Sequence, residues 1–158
     1  MPQVISPILL GRDADITTLM TQLAQCSVGQ GNTLLISGEA GIGKSRLVNE
    51  ARTRAQSQSY CVLIGNCYEV DYVVPYGPFI DLLRRFCIGK SRDEIANIFS
   101  GTTQQLVTLL PELSASHQDL LAKQQGTPEQ EKRKLFAGIS TFFSDITRTQ
   151  PVLVIIED

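Results

Sequence analysis

The sequence predicts an α/β domain built round a parallel sheet, and three observations carry that prediction. Short apolar runs at 33–37, 60–67 and 151–156 have the length and composition of strands. Segments with apolar residues at helical spacing separate them. Neither a hairpin signal nor an internal repeat occurs, so consecutive strands must be joined by crossovers, as in a parallel sheet.

Each element has a local justification. Asp13 to about Ala24 places Ile16, Leu19, Met20 and Leu23 on one helical face, with Asp13 as N-cap. Gly29-Gln30-Gly31-Asn32 breaks that helix. Thr33-Leu34-Leu35-Ile36-Ser37 is apolar enough for a strand covered on both faces. The glycine-rich stretch Gly38 to Gly43 opens onto a second helix from Lys44 to about Gln56, with Leu47, Val48 and Ala51 on one side.

Tyr60 to Cys67 reads as the second strand, with Cys61 and Cys67 as core residues on one face. Val73-Val74-Pro75-Tyr76-Gly77-Pro78 is a loop by its proline and glycine content. Helical spacing returns over Phe79 to Cys87, where Ile80, Leu83 and Phe86 form one face. It recurs over Ile95 to Phe99 and over Gln104 to Leu110, which Pro111 closes.

A long amphipathic helix then runs from Pro128 or Glu129 to about Thr147. Thr127 is its N-cap, Pro128 its first-turn proline and Gln130 the capping-box partner. Leu135, Ile139, Phe142, Phe143 and Ile146 supply its packing side, and the mixed charges of Glu129 to Lys134 a solvated one. Pro151 to Ile156 predicts a fully buried strand leading into Glu157-Asp158.

Composition excludes several function classes. The chain has 158 residues, the size of one ordinary domain. Fourteen Lys and Arg against sixteen Asp and Glu leave a net charge of -2, which argues against nucleic acid or an acidic membrane surface as a direct partner. The single histidine, His117, rules out a paired-histidine metal site and reads as a surface residue in a polar connector. No apolar run approaches the roughly 20 residues needed to cross a bilayer, and the N-terminus lacks a signal-peptide pattern. The expected location is cytoplasmic. The four cysteines, Cys26, Cys61, Cys67 and Cys87, lack metal-site or redox spacing and are expected as free, mostly buried thiols.

The chemistry concentrates in Gly38-Glu39-Ala40-Gly41-Ile42-Gly43-Lys44-Ser45, a complete GxxxxGK[ST] motif. Its glycines let the backbone wrap round a phosphate with successive N–H groups pointing inward, and a helix N-terminus favours the anion. In this reading Lys44 reaches the β- and γ-phosphates and the Ser45 hydroxyl binds Mg²⁺. The motif lies between a predicted strand and a predicted helix, as a P-loop requires. The last strand delivers Glu157 and Asp158 at its C-terminal edge, where sheet ligands bind and a carboxylate can hold Mg²⁺. The residues thus predict an α/β domain with a parallel sheet and a P-loop.

These residues carry a resemblance. Leu10-Gly11-Arg12-Asp13-Ala14-Asp15, Ser37 to Leu47 including Arg46, Cys67-Tyr68-Glu69, Pro75 to Phe79 and the closing Walker B strand follow one another in this order. The order resembles the STAND-type AAA ATPase module of bacterial LuxR-type transcriptional regulators and related multidomain signalling proteins. The resemblance implies a P-loop NTPase three-layer αβα sandwich with a parallel sheet, ATP or ADP as ligand, with Mg²⁺, and a switch role controlled by nucleotide. It places Arg12 at the adenosine end of the site, Glu157 on Mg²⁺, and Asp158 as the acid that polarises attacking water. Asp158 is one methylene shorter than the glutamate of fast AAA enzymes, which implies slow hydrolysis.

The same resemblance implies a module truncated after the Walker B strand, at residue 158, with lid, sensor and effector regions absent. The strand that follows Walker B in the family sits between the Walker A and Walker B strands. Without it, a gap of roughly 9–10 Å and unpaired backbone groups are expected, and with them marginal stability. The missing C-terminal parts, or another chain, are then the expected partners. Two other functions fit the motif: a small-molecule P-loop kinase, for which no arginine-rich lid follows residue 92, and a vestigial interaction fragment that binds no nucleotide.

Overall fold

The structure, a computed structural model, describes residues 11–68, 75–100, 106, 109–110 and 127–157. The element order is α1 (Asp13–Ser27), α2 (Lys44–Ser57), β1 (Cys61–Asn66), α3 (Gly77–Cys87), α4 (Arg92–Ile98), α5 (Pro128–Thr147) and β2 (Val152–Glu157). The protein is mixed α/β, with a small parallel sheet in which β1 pairs with β2. Most of the expected 104–110 helix lies outside the described residues, as do Glu69, Val73, Val74, Pro111, His117 and Asp158.

The chain divides into two compact units, Met1–Val62 and Leu63–Asp158. In the first, the apolar stripe of α1 packs on α2: Leu19, Leu47 and Ala51 are buried, with Ile16, Met20 and Ile36 against them. Ala55 is fully buried, and the Tyr60 hydroxyl donates to the Leu23 carbonyl, tying the residue before β1 back to α1. Burial of this phenol raises its pKa above the ordinary tyrosine value.

The second unit is organised by aromatic packing. Phe142 of α5 meets Phe86 of α3 edge-on at 5.2 Å and stacks with Phe99 at 6.2 Å. Leu82, Leu106 and Leu110 are fully buried. Two helices of this unit start on reciprocal capping boxes. Thr127 and Gln130 cap α5 as the sequence predicts. Ser91 and Glu94 cap α4 in the same way and extend it to Arg92, three residues before the expected start. Glu94 accepts from the Ser91 N–H, which holds its carboxyl below the usual carboxylate range.

Four expectations are corrected. Residues 33–37 form no strand among the described residues; Leu35 is 88% exposed and only Ile36 packs inward. A strand exists only where a neighbour accepts and donates its ladder bonds, and an apolar run cannot supply that neighbour itself. β2 is covered on one face, not two: Ile155 is buried while Val154 and Ile156 are exposed, the alternation of a sheet with one packed side. Cys67 lies beyond the end of β1 and is exposed, and the other three cysteines, though in no disulfide, are only partly buried. Finally, Arg12 rather than Asp13 is the N-cap of α1, so Asp13 and Asp15 both fall in its first turn, where negative charge suits the helix dipole.

Candidate functional site

The phosphate-loop motif is shaped by backbone conformation. Gly41 (φ 80°) and Gly43 (φ 96°) lie in the left-handed region, which side chains resist at about 1–2 kcal/mol per residue. Between them the Ile42 N–H donates to the Glu39 carbonyl at 3.3 Å, closing a turn. Around Gly38 the chain is tight, since a Cβ there would stand 3.1 Å from the Ile42 side chain. Gly43 caps α2, and its carbonyl accepts the Leu47 N–H at 3.1 Å.

A helix starting from such a loop leaves its first N–H groups without intrahelical partners. Helices α1, α4 and α5 carry acids in the first turn: Asp13 and Asp15, Asp93 and Glu94, Glu129 and Glu131. α2 and α3 have none, and of these two α2 begins on basic residues, Lys44-Ser45-Arg46. Its positive end is therefore left for an external anion. Lys44 folds over the loop, its ammonium donating to the carbonyls of Gly38 at 2.9 Å and Glu39 at 3.1 Å. The Ser45 hydroxyl is exposed in the first turn and Arg46 is half-buried beside it. Glycines in positive-φ conformations, an uncompensated helix start, a lysine and an exposed hydroxyl together fit a phosphate group and its metal ion. Glu39 and Ala40 contribute backbone to the loop and are exposed.

Arg12 belongs to the same loop. Its guanidinium donates to the Asp15 carboxylate at 2.8 Å and, through its other terminal nitrogen, to the Ile42 carbonyl at 2.8 Å. The structure thus brings Arg12 together with Gly38 to Ser45. Glu157 is the last residue of β2, partly buried, and its carbonyl accepts the Cys67 N–H at 2.6 Å. It belongs to the second compact unit and the loop to the first. Asp158 lies outside the described residues.

Two residues take roles that the sequence did not assign them. Asp15 holds Arg12, and the three-residue spacing on one helix was the available signal. Asp81 of α3 accepts from the Asn66 N–H at the end of β1 and from Arg85, both at 3.0 Å, which fixes the end of that strand; no sequence signal marks it. An open cavity of about 540 Å³ is lined by Asp81, Arg84, Arg85, Cys87, Ile88, Ile95 and Leu110, none of them read as nucleotide-binding. Among the described residues no group of three or more His, Cys, Asp or Glu side chains could hold a metal, and no helix is long and apolar enough to cross a membrane.

The family model described as AAA ATPase domain matches residues 8–158, nearly the whole chain. The uncharacterized protein R02095 of Rhizobium meliloti (strain 1021) is 37% identical over 59 residues, which are 37% of this chain and 6% of that protein. The matched segment is thus a small fraction of that relative's length. No solved structure matches at a significant level. The chain belongs to the AAA ATPase domain family, which implies nucleotide binding and, typically, dependence on Mg²⁺.

Proposed function

We propose that the chain is an ATP/ADP-binding regulatory module, a nucleotide-dependent switch within a multidomain bacterial signalling or transcription-regulating ATPase, on the three-layer αβα plan of P-loop NTPases. The observation that carries it is the loop geometry: two left-handed glycines in front of a helix start that bears Lys44 and no acid.

The residues divide the work as follows. Backbone N–H groups from Gly38 to Ser45 cradle the phosphates, with Arg46 beside them in the first turn of α2. Lys44 exchanges the two loop carbonyls it now contacts for phosphate oxygens, so binding reorders the loop and not the lysine alone. Ser45 and Glu157 are the residues that would hold Mg²⁺, which would neutralise charge on the phosphates. Asp158 orients water, and its short side chain keeps turnover slow, as suits a module that reports which nucleotide it holds. Ordering of the loop by the γ-phosphate carries the signal to partner domains or another chain. The setting is cytoplasmic, without direct contact to nucleic acid or membrane.

Titration of a fluorescent ATP analogue into the chain, beside Lys44→Ala, tests this reading. Losing an ammonium that bonds phosphate should weaken binding by about 10- to 100-fold. The melting temperature should barely move, because Lys44 touches only exposed loop carbonyls. A parent chain that binds no analogue would replace the switch with the vestigial interaction fragment. Phosphoryl transfer from ATP to a small metabolite would replace it with a kinase.

A further inference from the structure

Arg12 faces the peptide that joins Ile42 to Gly43. Its two terminal nitrogens are committed in different directions, one to the Asp15 carboxylate in the first turn of α1 and one to the Ile42 carbonyl, thirty residues away in sequence. A trans peptide is planar, so its C=O and its N–H point opposite ways. Pinning the Ile42 carbonyl onto Arg12 therefore turns the Gly43 N–H away from Arg12. That peptide joins Ile42 to Gly43, whose backbone is in the left-handed region and which has no side chain to lock its side of the peptide. Without that bond the Gly43 side of the peptide has the freedom to turn.

Resting on the nucleotide-binding reading, we propose that Arg12 is a positioning residue for phosphate, held in place by Asp15. It orients the Ile42–Gly43 peptide so that the Gly43 N–H is presented to the anion. It acts on the triphosphate end of the ligand and through the loop. The base is not what it reads. An arginine suits this because its two terminal nitrogens reach acceptors lying in different directions, whereas the donors of a lysine all leave one nitrogen, on which both acceptors would have to converge.

The test compares ATP with inorganic tripolyphosphate, which has no base, by calorimetric titration of the full chain. Arg12→Ala should weaken both ligands by the same factor, about tenfold. Asp15→Ala gives a test of sign. Removing a negative charge near an anion site should tighten binding if bulk charge governs it, whereas loss of the arginine's anchor should weaken both ligands severalfold. Arg12→Lys should behave like Arg12→Ala. The Gly43 amide resonance in a ¹H–¹⁵N spectrum should shift in all three variants before any ligand is added, with thermal melts near the parent's.

Loss of ATP affinity with tripolyphosphate unaffected would overturn the proposal and assign Arg12 to the adenosine. Tighter binding in Asp15→Ala, or parent-like affinity in Arg12→Lys, would overturn it in favour of simple charge. If Arg12→Ala fails to fold, the Asp15→Ala and Arg12→Lys arms still decide. A parent chain that binds neither ligand would overturn the nucleotide reading as well, an outcome distinct from all of these.

Discussion

Glycine does opposite work in the phosphate loop and in the sheet. Gly41 and Gly43 have left-handed backbones and open space where a side chain would stand, with no atom within 4 Å. Gly65 of β1 has an ordinary strand backbone and no space at all: a Cβ there would fall 2.1 Å from the Pro78 carbonyl oxygen and 3.3 Å from the Ile156 side chain. The loop glycines are conformational and the sheet glycine is steric. A conformational glycine leaves the surface free for a ligand, while a steric one lets two parts of the protein's own chain touch. The first suits binding and the second suits stability.

Substitution should separate these roles. The largest effect is expected for Gly65→Ala. The clash is with backbone at the start of α3, which cannot rotate aside, so stability in urea should fall by roughly 3 kcal/mol or more. A Gly65→Ala variant as stable as the parent would break the comparison at its root.

Gly43→Ala should cost less stability, about 1–2 kcal/mol for the left-handed conformation alone. Its affinity for nucleotide should suffer as well, because the peptide that presents the loop N–H is strained. Titration and melting on the same sample would show whether binding and folding part company here.

The smallest effect concerns α4, where Ser91 holds the Glu94 carboxyl below its ordinary range. A depressed folded-state pKa gives stability that is fully present above the unfolded value of about 4.3 and lost as pH falls through the folded one. Melts of the parent and Glu94→Gln should therefore differ by a small constant amount at neutral pH. The difference should narrow in acid.

How far the structure could be read in advance followed the range of the interactions. The Thr127-Pro128-Gln130 start of α5 was legible because a capping box is settled by neighbours three residues apart. The Ser91-Arg92-Asp93-Glu94 box was written in the same code, yet apolar periodicity, counted from Ile95, places the helix start too late. β1 came out within a residue of its expected ends. Residues 33–37 did not, although Leu34, Leu35 and Ile36 are as apolar as the strands that formed. The Arg12–Asp15 pair lay within reach of helical spacing, whereas the bond from Arg12 to Ile42 spans thirty residues of chain.

By itself the sequence determined the local chemistry: the glycines that permit the loop, the lysine and serine behind them, and the caps and stripes of the helices. These rest on backbone preferences and on contacts within a turn or two, which travel with the residues. Only the tertiary structure decided which apolar runs became strands, which face of β2 was covered, and what Arg12 grips. Ladder bonds, burial and a guanidinium's second partner all depend on what the rest of the chain brings alongside, and no local preference encodes that.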